Sequence, residues 1–163
     1  MSYLEQHDIL FNHQFGFRKG HSTEYAVLET IENLKTAIDE NKITCGIFLD
    51  FSKAFDTINH DIHLAKMNKY DILGLPLQWF SSYFIKERKQ YVKIGNSESN
   101  RKTITCGIPQ GSTLGPLLFL LYINDLPNCS NKLLFRFFAD DTNIFLSSNN
   151  DKDLEAVINQ ELN

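Results

Sequence analysis

The chain has 163 residues, with 16 Lys and Arg against 20 Asp and Glu, a formal net charge of -4, 42% hydrophobic residues and 13 phenylalanines. That is enough apolar mass for one packed domain, or a large part of one, and it excludes disordered, collagen-like and mucin-like classes. The mild acidity, taken alone, argues against a nucleic-acid partner, which usually demands a net basic face.

The N-terminal stretch MSYLEQHDIL has neither a basic leader nor a continuous apolar run, and the longest apolar run, Pro116 to Ile123, is far below bilayer length. Together these predict a soluble, intracellular protein made without export. Cys45, Cys106 and Cys129 are an odd, widely spaced set with no CxxC pair, which predicts neither a disulfide framework nor a cysteine-based zinc site.

From Ser22 the spacing of Val27, Ile31, Leu34 and Ile38 on one stripe predicts an amphipathic helix, capped by Ser22 or Thr23. Ile43 to Phe51 (ITCGIFLDF) is apolar except for Asp50 and reads as a strand buried on both faces. Asp61 to Tyr70 is predicted helical, and Leu75-Pro76 opens another helix with Leu77, Phe80 and Phe84 spaced for burial. KQYVKIG and RKTITCG predict a hairpin joined by a polar loop at Asn96 to Asn100, with Arg88, Lys89, Lys93, Arg101 and Lys102 on or beside it. His60 and His63 have no third ligand nearby and read as surface polar residues. The loop GIPQGSTLG (Gly107 to Gly115) leads into PLLFLLYINDL, apolar all round and so a buried helix. Leu133 to Phe138 and Asn143 to Leu146 read as two strands around an ADD turn, and Asp151 to Leu162 as a closing helix. These elements predict an α+β fold, an antiparallel sheet covered by helices on one face.

A carboxylate is costly to bury unless paired, protonated or bound to metal. Asp50 interrupts an aliphatic strand, and Asp140 and Asp141 sit between two apolar ones. Each could be an ordinary strand-end or turn residue. Adjacent strands lie only about 5 Å apart, however, so the three can also converge on hard cations such as Mg²⁺.

FLDFSKAFDTINHDI (Phe48 to Ile62), GIPQGSTLGPLLFLLYINDLP (Gly107 to Pro127) and FADDTNIF (Phe138 to Phe145), in that order, resemble the central palm motifs of reverse transcriptases encoded by non-LTR, jockey-like and related LINE-type retrotransposons. QFGFRKGHST (Gln14 to Thr23) is similar to the motif at the fingers–palm boundary, and LPLQWFSSYFIKERKQYVKIG (Leu75 to Gly95) to the family's segment between the first and second palm motifs. The resemblance implies a partial fingers and palm fragment without a thumb, residues 1–42 at the fingers–palm boundary and 43–163 palm. It implies RNA-directed DNA polymerase chemistry with two Mg²⁺ ions, for which Mn²⁺ can substitute.

By the same resemblance the catalytic residues are Asp50, Asp140 and Asp141. The metal ligands are Asp50, Asp140 and the Phe51 backbone carbonyl. Phe55 would lie under the incoming sugar and reject a 2′-OH, with core packing as the alternative; Gln110, Gly111 and Lys53 would line the nucleotide. Arg18, Lys19, Lys89, Lys93, Arg101 and Lys102 would contact template or primer, though each also reads as a solvated cation. The implied partners are an RNA template, a DNA primer and a dNTP, with no membrane. The alternative is a catalytically inactive retroelement remnant that at most binds nucleic acid or divalent metal.

Overall fold

The structure is a computed structural model and describes residues 2–85 and 88–162. Its elements in chain order are α1 (Ser2–Gln6), α2 (Thr23–Asp39), β1 (Ile43–Leu49), α3 (His60–Lys69), α4 (Gly74–Ile85), β2 (Lys89–Gln90), β3 (Lys93–Ile94), β4 (Ser97–Glu98), β5 (Lys102–Thr103), α5 (Gly115–Ile123), a 3₁₀ turn at Leu126–Cys129, β6 (Leu134–Phe138), β7 (Asp141–Ser148) and α6 (Asp151–Glu161). The α+β class and the antiparallel sheet agree with the expectation. No helix among the described residues is long and apolar enough to cross a membrane. The chain divides into two compact units, residues 1–52 with 123–163, and residues 53–122.

The first unit is built on a three-stranded antiparallel sheet in the order β1-β7-β6. Phe135, Phe137, Thr142 and Ile144 are buried on one face of its β6–β7 hairpin, the alternation expected of a sheet with a packed side. On the other face Arg136, 5% exposed, reaches Glu29 of α2 at 3.1 Å, and His13 Nδ1 lies 2.6 Å from the same carboxylate oxygen. Helix α2 starts where a cap was predicted, with Ser22 Oγ accepting from the Tyr25 N–H.

One expectation fails in this unit. β1 is an edge strand and is exposed at four of its seven residues, with Phe48 at 73%, although α2 and α6 both reach it; an apolar run is equally compatible with a sheet edge. The stripe of α2 is also exposed at Val27, Ile31 and Ile38, and Ala37 is the residue the helix buries. Periodicity reports that a helix has an apolar face, not that a partner meets it.

In the second unit α3 is capped by Asn59, whose side-chain oxygen accepts from the Asp61 and Ile62 N–H groups. Its inner face is His60, His63 and Met67, at i, i+3 and i+7. The two histidines are therefore core residues and not surface ones: His60 is 5% exposed and His63 fully buried, against Phe84 and, for His63, Tyr122. Leu118, Phe119, Leu120 and Leu121 of α5 are buried as its uniformly apolar sequence requires. The hairpin turns at Gly95-Asn96 and not across Asn96 to Asn100 as expected. β3 and β4 are joined by Gly95-Asn96, so Ser97 and Glu98 are strand and not loop. The pairing of β2 with β5 (Gln90 opposite Lys102) and of β3 with β4 (Lys93 opposite Glu98) differs by one residue in register. One extra residue therefore lies between β4 and β5, the signature of a β-bulge.

Candidate active site

The three candidate catalytic carboxylates lie in the first unit, at the end of the sheet where β1 finishes and the β6–β7 hairpin turns. Leu49 pairs with Thr142, so the next residues along that register are Asp50 and Asp141. Phe138 pairs with Asp141, leaving Ala139 and Asp140 as a two-residue turn. Asp140 is thus at the tip, and Asp141, expected in the turn, is the first residue of β7. Ala139 has φ +57 and is followed by a residue without positive φ, the pattern of a type II′ turn, whose twist suits the flanking strands.

Among the described residues none of the three carboxylates has an ion pair or a side-chain hydrogen bond from another residue. Asp50 and Asp141 are exposed, and both line a cavity of about 330 Å³ whose walls include Val27, Phe48 and Phe138. Among the described residues no three His, Cys, Asp or Glu side chains are gathered as a metal centre. The donor set nonetheless suits Mg²⁺, a hard cation that takes one or two carboxylates and completes its sphere with water and substrate phosphates. Phe51, the candidate carbonyl ligand, follows Asp50 and is 37% exposed.

The candidate nucleotide residues lie in the second unit. The Phe55 ring stacks on Phe119 with centroids 4.6 Å apart and stays half-buried, so it has a packing role whatever else it does. Gln110 Nε2 donates to Asp56 Oδ1 at 3.0 Å, a partner that sequence reasoning did not identify. Gly111 has φ +75 with open space where a side chain would stand, so backbone conformation is what calls for glycine there. Lys53 also has positive φ and is exposed. The segment from Cys106 to Ile108 is tied to the one from Phe55 to His60. Gly107 N–H donates to the Ile58 carbonyl, Ile108 N–H to the Phe55 carbonyl, and the His60 ring Nε2 lies 2.8 Å from the Gly107 carbonyl. Beside these bonds is a polar cavity of about 530 Å³, lined by Asp56, Arg88, Gln90 and Gln110 among others.

The candidate template and primer cations are distributed over both units. In the first, Arg18 is half-buried and donates from Nη1 to the Phe11 carbonyl at 2.9 Å, while Lys19 is exposed. In the second, Lys89, Lys93, Arg101 and Lys102 are all exposed on the bulged hairpin. Lys93 pairs with Glu98 at 3.0 Å and Arg101 covers the Tyr91 ring. An exposed Arg on an aromatic is a surface that can also meet phosphate or a base.

Over residues 1–162 the chain matches the family described as reverse transcriptase (RNA-dependent DNA polymerase). It is similar to three Drosophila melanogaster proteins. One is a probable RNA-directed DNA polymerase from transposon BS, 34% identical over 90% of this chain and 17% of the relative; another is from transposon X-element, 33% identical over 86% and 16%. The third is the RNA-directed DNA polymerase from mobile element jockey, 30% identical over 83% and 15%. The chain thus spans about a sixth of the length of these relatives. An antiparallel sheet with Asp50 just past the end of one strand and Asp140-Asp141 at the adjoining hairpin, together with a match along nearly the whole sequence, leaves one assignment: the chain belongs to the reverse transcriptase (RNA-dependent DNA polymerase) family.

Proposed function

We propose that this chain is the palm portion of a retrotransposon RNA-directed DNA polymerase and that Asp50, Asp140 and Asp141 carry its nucleotidyl transfer. The observation that carries the reading is the register of β1 on β7. It brings Asp50 beside Asp141 and the Asp140 turn while none of these carboxylates is neutralised by a cation among the described residues. A divalent cation bound there would be held by carboxylates from both strands.

The reaction is attack of a primer 3′-hydroxyl on the α-phosphate of a dNTP, forming the new phosphodiester and releasing pyrophosphate. Two divalent cations, when bound, supply activation of the hydroxyl and charge stabilisation at the leaving oxygen. Asp50 and Asp140 would hold them, with the Phe51 carbonyl as a further oxygen ligand and Asp141 in support. In the second unit Phe55, braced by Phe119, would exclude a ribose 2′-OH by steric contact, since a hydroxyl there would have neither space nor partner. Gln110 and Gly111 would border the nucleotide, Lys53 would face its phosphates, and Arg18, Lys19 and the cations of the hairpin would follow the backbone of an RNA template and DNA primer.

A second reading, an inactive remnant that at most binds metal or nucleic acid, is favoured by the lack of a gathered three-ligand centre among the described residues. Primer extension on poly(rA)/oligo(dT) with dTTP and Mg²⁺ decides between them. Extension by the wild type that is abolished in Asp50→Asn and Asp140→Asn supports the polymerase. No extension by the wild type supports the remnant, and extension that persists in both variants overturns the site assignment.

A further inference from the structure

The residues just before Gly16 lie along the free edge of β6. The Phe15 N–H donates to the Phe137 carbonyl and the Phe137 N–H to the His13 carbonyl, both at 2.9 Å, which makes a one-residue parallel bridge at Gln14. Beyond that bridge the Gln14 side chain, itself 3% exposed, turns onto the hairpin tip. Its Oε1 accepts from the Ala139 N–H at 3.0 Å and from the Gly16 N–H at 2.8 Å, and its Nε2 donates to the Ala139 carbonyl at 3.2 Å. A single side chain thus holds both backbone polar groups of one residue.

That residue is the one that needs holding. Ala139 occupies the first central position of the turn with φ +57, a conformation that costs an L side chain energy and persists only where its surroundings impose it. In a two-residue hairpin turn its N–H and carbonyl have no ladder partner, and at 7% exposure water does not serve them either. The approach is close. A Cβ on Gly16 would stand 2.1 Å from the Ala139 nitrogen, so only glycine lets Gln14 and its neighbours come this near the turn. Asp140 is the next residue, and the orientation of the Ala139 peptide sets where its carboxylate points.

We infer that Gln14 is a positioning residue for Asp140: it locks the Ala139 peptide in its left-handed conformation and thereby aims the carboxylate that follows. The inference rests on the proposed metal-binding role of Asp140 and adds a residue from outside the sheet to that site.

Amide hydrogen exchange and Mn²⁺ titration calorimetry on the full 163-residue chain, in wild type, Gln14→Met and Gln14→Glu, test it. Methionine keeps the volume and removes all three bonds; glutamate keeps the two acceptances and loses the donation. In Gln14→Met the Ala139 amide should exchange faster while Ile144 in β7 keeps its protection, and Mn²⁺ affinity should fall about tenfold, the scale of losing an outer-shell partner. Gln14→Glu should give an intermediate affinity. Unchanged Ala139 exchange and unchanged affinity in Gln14→Met overturn the inference. If Gln14→Met does not fold, Gln14→Glu decides: reduced affinity with a protected ladder supports it, and unchanged affinity overturns it. Loss of ladder protection in both variants also overturns it, because Gln14 would then hold the sheet and not the turn. Equal Mn²⁺ binding by wild type and Asp140→Asn removes the metal reading alone, and the Ala139 exchange rate still decides whether Gln14 clamps the turn.

Discussion

Two buried polar side chains, one in each unit, are accommodated in opposite ways. In the first unit Arg136 meets Glu29 and the Phe135 carbonyl, with its Nε left without a partner among the described residues. In the second, His63 is fully buried among Phe84 and Tyr122 with neither ring nitrogen hydrogen-bonded. Burial, with Lys66 and His60 nearby, pushes its pKa down to about 4, so the ring is carried as a neutral aromatic. A guanidinium cannot shed its charge within reach of neutral pH and must be paired; an imidazole can lose its charge, which leaves the smaller cost of burying one N–H donor and one acceptor. The contrast shows that a buried cation requires a built site, whereas a buried histidine lowers its cost by staying neutral.

The largest effect should come from breaking the paired side of this contrast. Burial lowers the Arg136 pKa and Glu29 opposes that shift, so removing the carboxylate strands a charge that is 5% exposed. Glu29→Ala should cost up to about 3 kcal/mol in urea unfolding, the figure for breaking a buried pair, which the 31% exposure of the Glu29 side chain can only lower. A loss below about 1 kcal/mol would mean the pair behaves like an exposed one.

A smaller, pH-dependent effect should come from the other side. The unfolded imidazole takes up a proton as pH falls through 6.5, while folded His63 does so only near 4, so stability is full above 6.5 and is lost between those values. The total approaches about 3 kcal/mol at pH 4 as an upper limit, and far less of it is felt at pH 6. His63→Leu should flatten this part of the stability–pH curve. An unchanged curve would assign the acid sensitivity to other groups.

Much of the molecule is legible in the sequence where one local pattern has one physical meaning. The Ser22 cap, the all-apolar α5 and the strands on either side of Ala139-Asp140 are of this kind. What the sequence leaves ambiguous is the partner. Val27 and Ile31 form a stripe that stays exposed, and Phe48 sits on an edge strand because apolarity does not reveal how many neighbours a strand has. His63 misleads because a polar residue type at i+3 from His60 reads as surface until Phe84 is known to lie beside it. The bulge between β4 and β5 leaves no mark in a run of polar residues. In the candidate site the carboxylates are legible as anomalies among apolar strands. Gln14 is not, because its role depends on a contact 125 residues away along the chain. The net charge of -4 is an average over a chain whose candidate acidic site and basic hairpin lie in different units.

The central claim is that Asp50 and Asp140 together bind divalent cations, and titration calorimetry with Mn²⁺ on the wild type, Asp50→Asn and Asp140→Asn tests it most directly. Measurable binding by the wild type is expected, with weaker binding in each variant and unchanged circular dichroism. Equal affinity in all three proteins would contradict it.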